Sequence, residues 1–400
     1  MSFLPPTAAS NKNKKILVGM SGGVDSSVAA ALLVEQGYDV TGGFIKNWSD
    51  SKDLWTGECQ WRGERRDALR VAAKLGISLL TFDFEKEYRS RVLDRMFQEY
   101  EAGITPNPDV LCNQEIKFGL FFEAAMKAGF DGIAMGHYAR VVNQLTREYP
   151  SKSPLYSGET FRSENPLSTG GRGYSRGEGV FPLAHLLKAA DPEKDQSYFL
   201  HRVSQEALSK SLFPIGHLLK SEVRALAEKF DLPVAQKPDS QGICFIGKLD
   251  FHDFLRKKIP ATPGEIVTPE GEVIGTHDGL DAYTIGQRHG LKVSKEGKTW
   301  YVAGKNREKN QVIAVSDREH PLLYRSELHL RNIHWIAGEP SNPEIEVAVR
   351  YHAPLVAATL RLSNCVLRTP AWAPAPGQSA VFYQGDECLG GGFIADDLVK

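Results

Sequence analysis

The chain has 400 residues, and its 48 lysines and arginines balance 49 acidic residues to a formal net charge of −1. That length suits about two or three domains, and near-neutrality argues against a surface coated for indiscriminate nucleic-acid binding while leaving room for a local basic face. No apolar stretch approaches the roughly 20 residues that span a bilayer, so the expectation is a soluble protein without a membrane partner.

The first residues, MSFLPPTAASNKNKK, contain no acidic residue and end in lysines, a weak likeness to a transit peptide that lacks arginine and an evident amphipathic helix. Ile16, Leu17 and Val18 then form an apolar run entering a Gly/Ser turn. An alanine- and leucine-rich stretch follows and closes at Gly37, so the order predicted is strand, turn, helix. YDVTGGFIKNW reads as a second strand, an arginine-rich helix lies around Arg65 to Leu75, and ISLLTFDF reads as a third strand. Helices are expected over about 87–101 and 116–128, then a strand at GIAMGHYARV. This alternation predicts an α/β fold, a doubly wound parallel sheet whose ligand lies beyond the C-terminal ends of the strands.

Residues from about 144 to 179 break the pattern with Ser, Gly, Pro and Arg and read as a mobile surface insertion, for which RNA contact and a plain solvated loop both stand. Beyond about residue 245, short β-like runs separated by Gly, Pro and Asp turns predict small β modules. The expected organisation is a nucleotide-binding domain over 1–245 and two small β modules over about 246–318 and 319–400.

The turn Ser21-Gly22-Gly23-Val24-Asp25-Ser26 places backbone N–H groups at a helix start, where anions collect. Gly22 and Gly23 let a ligand approach the backbone, and Ser21, Ser26 and Ser27 add hydroxyls. Polyphosphate is the natural guest, with an ordinary strand-to-helix turn as the plain alternative. The lysine of a Walker A loop, G-x-x-x-x-G-K-[ST], is missing, which excludes a kinase-like P-loop. Asp25 reads either as a magnesium-positioning carboxylate or as a helix cap.

In GITPNPDVLCNQEIKFG, Pro106 and Pro108 stiffen the chain and present Asp109 and Cys112 just before a helix that begins near Ile116. A cysteine near a helix start can be a low-pKa thiolate, although cysteine is also among the most buried residue types. Cys244 lies in the polar loop QKPDSQGICFIG, an unusual place for an inert core cysteine. Cys59, Cys112, Cys244, Cys365 and Cys388 show no C-x-x-C spacing, so no zinc site is expected, and a reducing interior with one or two reactive thiols fits.

In chain order the sequence carries S-G-G-V-D-S at 21–26, N-P-D-V-L-C-N at 107–113, G-H-Y-A-R at 136–140, K-D-Q-S-Y-F-L at 194–200 and D-S-Q-G-I-C-F at 239–245, with HDGLDAYTIGQRHGL and PGQSAVFY further on. The first block looks like the PP-loop of the N-type ATP pyrophosphatases, and the series resembles the tRNA-specific 2-thiouridylases over nearly the whole chain. The resemblance implies ATP-dependent 2-thiolation of the wobble uridine: the uracil position-2 oxygen is adenylated, sulfur from a cysteine persulfide replaces it, and AMP and pyrophosphate leave. It assigns the persulfide, received from a sulfur-relay donor, to Cys244, the completing attack to Cys112, and general acid/base work to Asp109.

Implied ATP contacts are Gly19, Met20, Ser21, Gly22, Gly23, Val24, Asp25 and Ser26, with Ile45 opposite the adenine, and Gly136; magnesium is the implied companion of ATP. The pocket for the flipped uracil falls to Asn107, Pro108 and Asp109, and further tRNA contacts to His137, Lys194, Asp195, Gln196, Arg350, Tyr351 and Gln378. The family implies tRNAs for Lys, Glu and Gln as partners. The long insertion and NWSDSKDLWTGECQWRGERRDA resemble eukaryotic organellar members and imply a mitochondrial matrix protein, with the cytoplasm as the alternative. Two rivals share the loop: an amide-forming or argininosuccinate-type PP-loop synthetase, which needs neither thiol, and a non-catalytic tRNA-binding protein.

Overall fold

The computed structural model describes residues 11, 13–49, 59–143, 183–239, 251–256, 258–293 and 297–396. Strand β1 (Lys15–Gly19) is buried through Ile16, Leu17 and Val18, as a central strand covered on both faces must be. It pairs in parallel with β2 (Asp39–Lys46) and β4 (Gly132–Met135). With β3 (Leu79–Asp83) and β7 (Ser211–Leu212) they make a five-stranded parallel sheet ordered β3-β2-β1-β4-β7. Successive side chains alternate between the faces, so Ile16 and Val18 pack with α1 (Val24–Glu35) and α2 (Gln60–Leu75) while Leu17 packs on the opposite side. This is the doubly wound sheet expected.

The longer helices that follow differ in how well their bounds match expectation. Helix α3, residues 85–101, is continuous and includes a π turn at Arg89–Leu93. Helix α4, residues 108–127, begins about two turns earlier than the expected start near Ile116 and includes a π turn at Asn113–Leu120. Pro108 occupies its first position, where no N–H is needed, and Asn107 caps it by accepting a hydrogen bond from the Val110 N–H at 3.3 Å. The residues that read as a stiff connector are a helix start, and Cys112 lies inside the helix.

GIAMGHYARV, expected as one strand, divides in two. Its first part is β4, and β5 (Arg140–Asn143) pairs with β6 (Ala184–Leu187) on the far side of the 144–179 insertion, which lies outside the described residues. The two β modules are present: a four-stranded sheet ordered β10-β11-β8-β9, from β8 (Gly264–Val267), β9 (Val273–His277), β10 (Tyr301–Asn306) and β11 (Gln311–Val315), and a barrel. The barrel runs from β12 (Tyr324–Trp335) through β13 (Glu344–Ala348), β14 (Val356–Arg361), β15 (Asn364–Trp372) and β16 (Ser379–Gln384) to β17 (Glu387–Ile394), and β12 pairs with β17 to close it.

Strand β6 adds to β17 with Cys388 opposite Leu186, and Val381 and Cys388 share a core cluster with Cys112 and Ile133. The barrel is thereby packed into the nucleotide-binding part. Among the described residues no helix is long and apolar enough to cross a membrane.

Candidate active site

The turn between β1 and α1 lies at the C-terminal edge of the parallel sheet, where open α/β sheets bind ligands. Gly22 has φ +73°, and a Cβ there would strike the Glu64 carbonyl, so a side chain is excluded twice over. The serines brace the loop from within: the Ser21 N–H donates to Ser26 Oγ at 3.2 Å, and Ser27 Oγ donates to the Gly23 carbonyl at 2.7 Å. Gly23 is the N-cap of α1 and supplies no side-chain cap, so the helix's leading N–H groups are the anion-binding kind. A Cβ on Gly136 would lie 2.6 Å from the Ser26 nitrogen, so the G-H-Y block abuts the loop directly.

Tyr138 joins three of the sequence blocks. Its hydroxyl donates to Asp25 Oδ1 at 2.9 Å, its N–H donates to Gln196 Oε1 at 3.0 Å, and its carbonyl accepts from the Gln196 N–H at 2.8 Å. Both Asp25 oxygens also accept from Lys220, at 2.7 and 2.9 Å. Lys220 opens α5 (Lys220–Lys229) and lies 2.8 Å from Asp239, which is paired with Lys194 and Arg224 as well. Burial works to raise the Asp239 pKa, but hydrogen bonds from Lys220 and Lys194 outweigh it and hold the carboxyl at about 2. Lys237 donates to the Gly22 carbonyl at 3.0 Å and to Asp67 at 2.7 Å. Sequence reasoning missed Tyr138, Lys220 and Lys237. Tyr138 falls inside a quoted block, whereas no spacing rule points to a lysine 195 positions from its aspartate.

At the end of β2, Ile45 is buried, and Asn47 is 1% exposed with neither amide atom hydrogen-bonded. A buried amide needs a partner for its donor and its acceptor, and an adenine edge supplies both. Together with the uncapped helix start and the glycine cradle, these residues fit ATP.

Helix α4 runs back toward the start of β4, so its own start faces the same sheet edge as the loop. Asp109 and Cys112, three residues apart, share one helical face. Cys112 is fully buried in a cluster with Ile45, Trp48 and Leu111, and burial pushes its thiol up to about 12; Lys117 pulls the other way and Asp109 adds to the rise. A low-pKa thiolate at a helix N-terminus is therefore not what this arrangement holds. Four residues of α4 precede Cys112, so the thiol lies beyond the first turn, within which the helix dipole acts most strongly. Cys244 lies outside the described residues.

The expected tRNA contacts divide by exposure. Lys194 and Tyr351 reach solvent, and the Tyr351 ring lies 4.4 Å from that of Phe199, whose carbonyl accepts from Asn113 at 3.2 Å. His137 is buried, and its Nε2 lies 3.2 Å from the Lys117 ammonium; burial holds the imidazole neutral, far below its usual pKa. Asp195 accepts from the Ala189 N–H at 2.8 Å and from Ser197 Oγ at 2.7 Å. Arg350 donates to the carbonyls of Ile285 and Ala373, and Gln378 donates to those of Thr105 and Pro106, both at 3.0 Å.

The sheet, the loop and the thiol at its edge define a PP-loop, ATP-using enzyme of the HUP-domain class carrying two β modules. Three family descriptions match in order: tRNA methyl transferase HUP domain over 14–160 and 163–248, tRNA methyl transferase PRC-barrel domain over 252–316, and aminomethyltransferase beta-barrel domain over 325–394. Over 396 residues the chain is 46% identical to tRNA-specific 2-thiouridylase MnmA of Methylobacillus flagellatus, covering 96% of this chain and 99% of that protein. The protein of the same name from Janthinobacterium sp. (strain Marseille) is 44% identical over 400 aligned positions, covering 96% and 99%. That from Halalkalibacterium halodurans is 43% identical over 393, covering 96% of each. The chain belongs to the tRNA-specific 2-thiouridylase family.

Proposed function

We propose that this protein is an ATP-dependent sulfurtransferase that converts the wobble uridine of tRNA to 2-thiouridine, with AMP and pyrophosphate as co-products. The observation that carries the reading is the S-G-G-V-D-S loop at the edge of the parallel sheet, with the Asp109–Cys112 helix start facing that same edge, in a chain 46% identical over 96% of its length to a 2-thiouridylase. ATP, when bound, supplies the activation that turns the poorly leaving position-2 oxygen into a leaving group.

The chain's own residues do the rest. Asn107 and Pro108 shape the entry for the base, and the partly exposed Asp109 holds or takes a proton there. Cys112 attacks the persulfide on Cys244 as its thiol proton passes to the departing sulfur, closing a Cys112–Cys244 disulfide and freeing hydrogen sulfide for position 2. A thiol reductant then reopens the disulfide, and a persulfide donor recharges Cys244. Without ATP both Asp25 oxygens accept from Lys220, and no step is routed through a metal.

The proposed partners are tRNAs for Lys, Glu and Gln and a persulfide donor. A mitochondrial address is supported by residues 47–68 and the acid-free first 15 residues, while the relatives named above come from bacteria. A fluorescent fusion of that N-terminal stretch, viewed in a eukaryotic cell, tests it. For the reaction, purified protein is incubated with unmodified tRNA, ATP and a persulfide donor, and 2-thiouridine and AMP are measured by mass spectrometry. ADP in place of AMP would overturn the activation chemistry. Amide formation from ammonia that is indifferent to loss of both thiols would establish the synthetase rival instead.

A further inference from the structure

The S-G-G-V-D-S loop has a charge problem. It offers backbone N–H groups and a helix dipole to a polyphosphate, but it contains a carboxylate, Asp25, and no lysine. A cation from elsewhere in the fold has to answer both. We propose that Lys220 is the pyrophosphate-binding lysine of this site, exchanging its carboxylate partners for the outer phosphates of ATP. The proposal rests on the reading of the loop as an ATP site.

Its placement carries the argument. The Lys220 side chain is 15% exposed, so its charge acts through little water, and its ammonium bridges Asp25 in the loop helix and Asp239. The carrier helix α5 is fixed against α1, since Val223 and Ala227 share a core with Val28 and Ala29. The Lys220 N–H is anchored to Asp191 Oδ2 at 2.8 Å. The backbone is therefore held, while four methylenes let the ammonium move between neighbouring acceptors.

The exchange also strands no charge. For Asp239 this holds because Lys194 and Arg224 remain when Lys220 turns to phosphate, whereas Asp25, 32% exposed, gives up its lysine and is left with the Tyr138 hydroxyl and solvent. Lys237, the other lysine at the loop, is held between the Gly22 carbonyl and Asp67, which makes it a brace. Asp25 and Asp239 thus both compete with pyrophosphate for Lys220, and Asp239 is the one that lies outside the loop and can be neutralised without altering it.

The test is calorimetric binding of pyrophosphate and of AMP, separately and in magnesium buffer, to the full chain and to three variants, with melting curves alongside. Lys220→Met is expected to weaken pyrophosphate at least tenfold and AMP less than twofold, with Lys220→Arg recovering part of the loss. Asp239→Asn is expected to tighten pyrophosphate severalfold, because it removes a competitor; a purely structural ion pair would give the opposite sign. Wild-type pyrophosphate affinity in Lys220→Met, equal loss of both ligands, or weaker pyrophosphate binding in Asp239→Asn each overturns the proposal. Wild-type protein that binds neither ligand would instead bring down the ATP reading beneath it. Should Lys220→Met fail to fold, Asp239→Asn and Lys220→Arg still decide the matter.

Discussion

A buried cysteine with its thiol pushed up to about 12 is a poor nucleophile as it stands. At pH 8 the thiolate is a small minority of the Cys112 population. Iodoacetamide is therefore expected to label the partly exposed Cys59 well before Cys112 in the free protein, as read by peptide mass spectrometry. Fast labelling of Cys112 without tRNA or ATP would contradict the burial argument. The two proposed catalytic thiols separate by what each holds. Cys244→Ser should never carry sulfane sulfur, Cys112→Ser should carry it without completing transfer, and both should make no 2-thiouridine; full activity in either removes the two-thiol mechanism. Cys365 and Cys388 are buried in cores, so serine there should lower the melting temperature and leave the chemistry intact. The sequence points to Asp109 and Cys112 through a local signature. The environment of Cys112 has no such signature, since the core cluster that buries it draws on residues as far apart in the chain as Ile45, Met96, Ile133 and Cys388.

The apolar β1 lies where its pattern puts it, and the arginine-rich α2 ends at Leu75 as expected but starts at Gln60, ahead of the expected start near Arg65. Two elements depart further, for physical reasons that can be named. The start of α4 reads as a connector in the sequence because proline and asparagine serve turns and helix starts equally well, and only the Asn107 cap distinguishes them. Asn107→Ala should cost about 1 kcal/mol of stability and lower the thiolation rate, because Asp109 rides on the turn it fixes. An unchanged unfolding midpoint would show that the cap is not needed. The break between β4 and β5 escaped notice because β5 belongs to a sheet completed by β17, more than two hundred residues on. Within that break, Gly136→Ala places its Cβ 2.6 Å from the Ser26 nitrogen, and backbone cannot yield as a side chain would. ATP binding by this variant should fall by at least tenfold, and near-normal affinity would separate Gly136 from the loop.

At the scale of the whole molecule, residues 103–106 are where the three modules meet. The Thr105 N–H donates to the Pro376 carbonyl at 3.0 Å, Gln378 holds the Thr105 and Pro106 carbonyls, and Thr284 Oγ1 lies 3.2 Å from Thr105 Oγ1. Both β modules thus set the angle at which the Asp109–Cys112 helix begins, a dependence that only the assembled fold displays. Lys305 belongs to the same junction: it donates to the Gly103 carbonyl at 3.1 Å, and burial, with Arg307 adding to it, lowers its pKa from 10.5 to about 8 against the pull of Asp281 and Asp396. Because the folded value lies below the unfolded one, the unfolded chain binds more protons between these two pH values, so stability rises with pH across that window. The cost of the buried charge is fully present below pH 8 and gone above about 10.5. Lys305→Met removes this titration while keeping the length of the side chain. Wild type is therefore expected to gain on Lys305→Met by at most about 3 kcal/mol between pH 7 and pH 11, as measured by the difference in their denaturant midpoints, in which other lysines cancel. A difference that stays flat across that range would mean the Lys305 ammonium keeps its water, and the junction would then be looser than its hydrogen bonds imply.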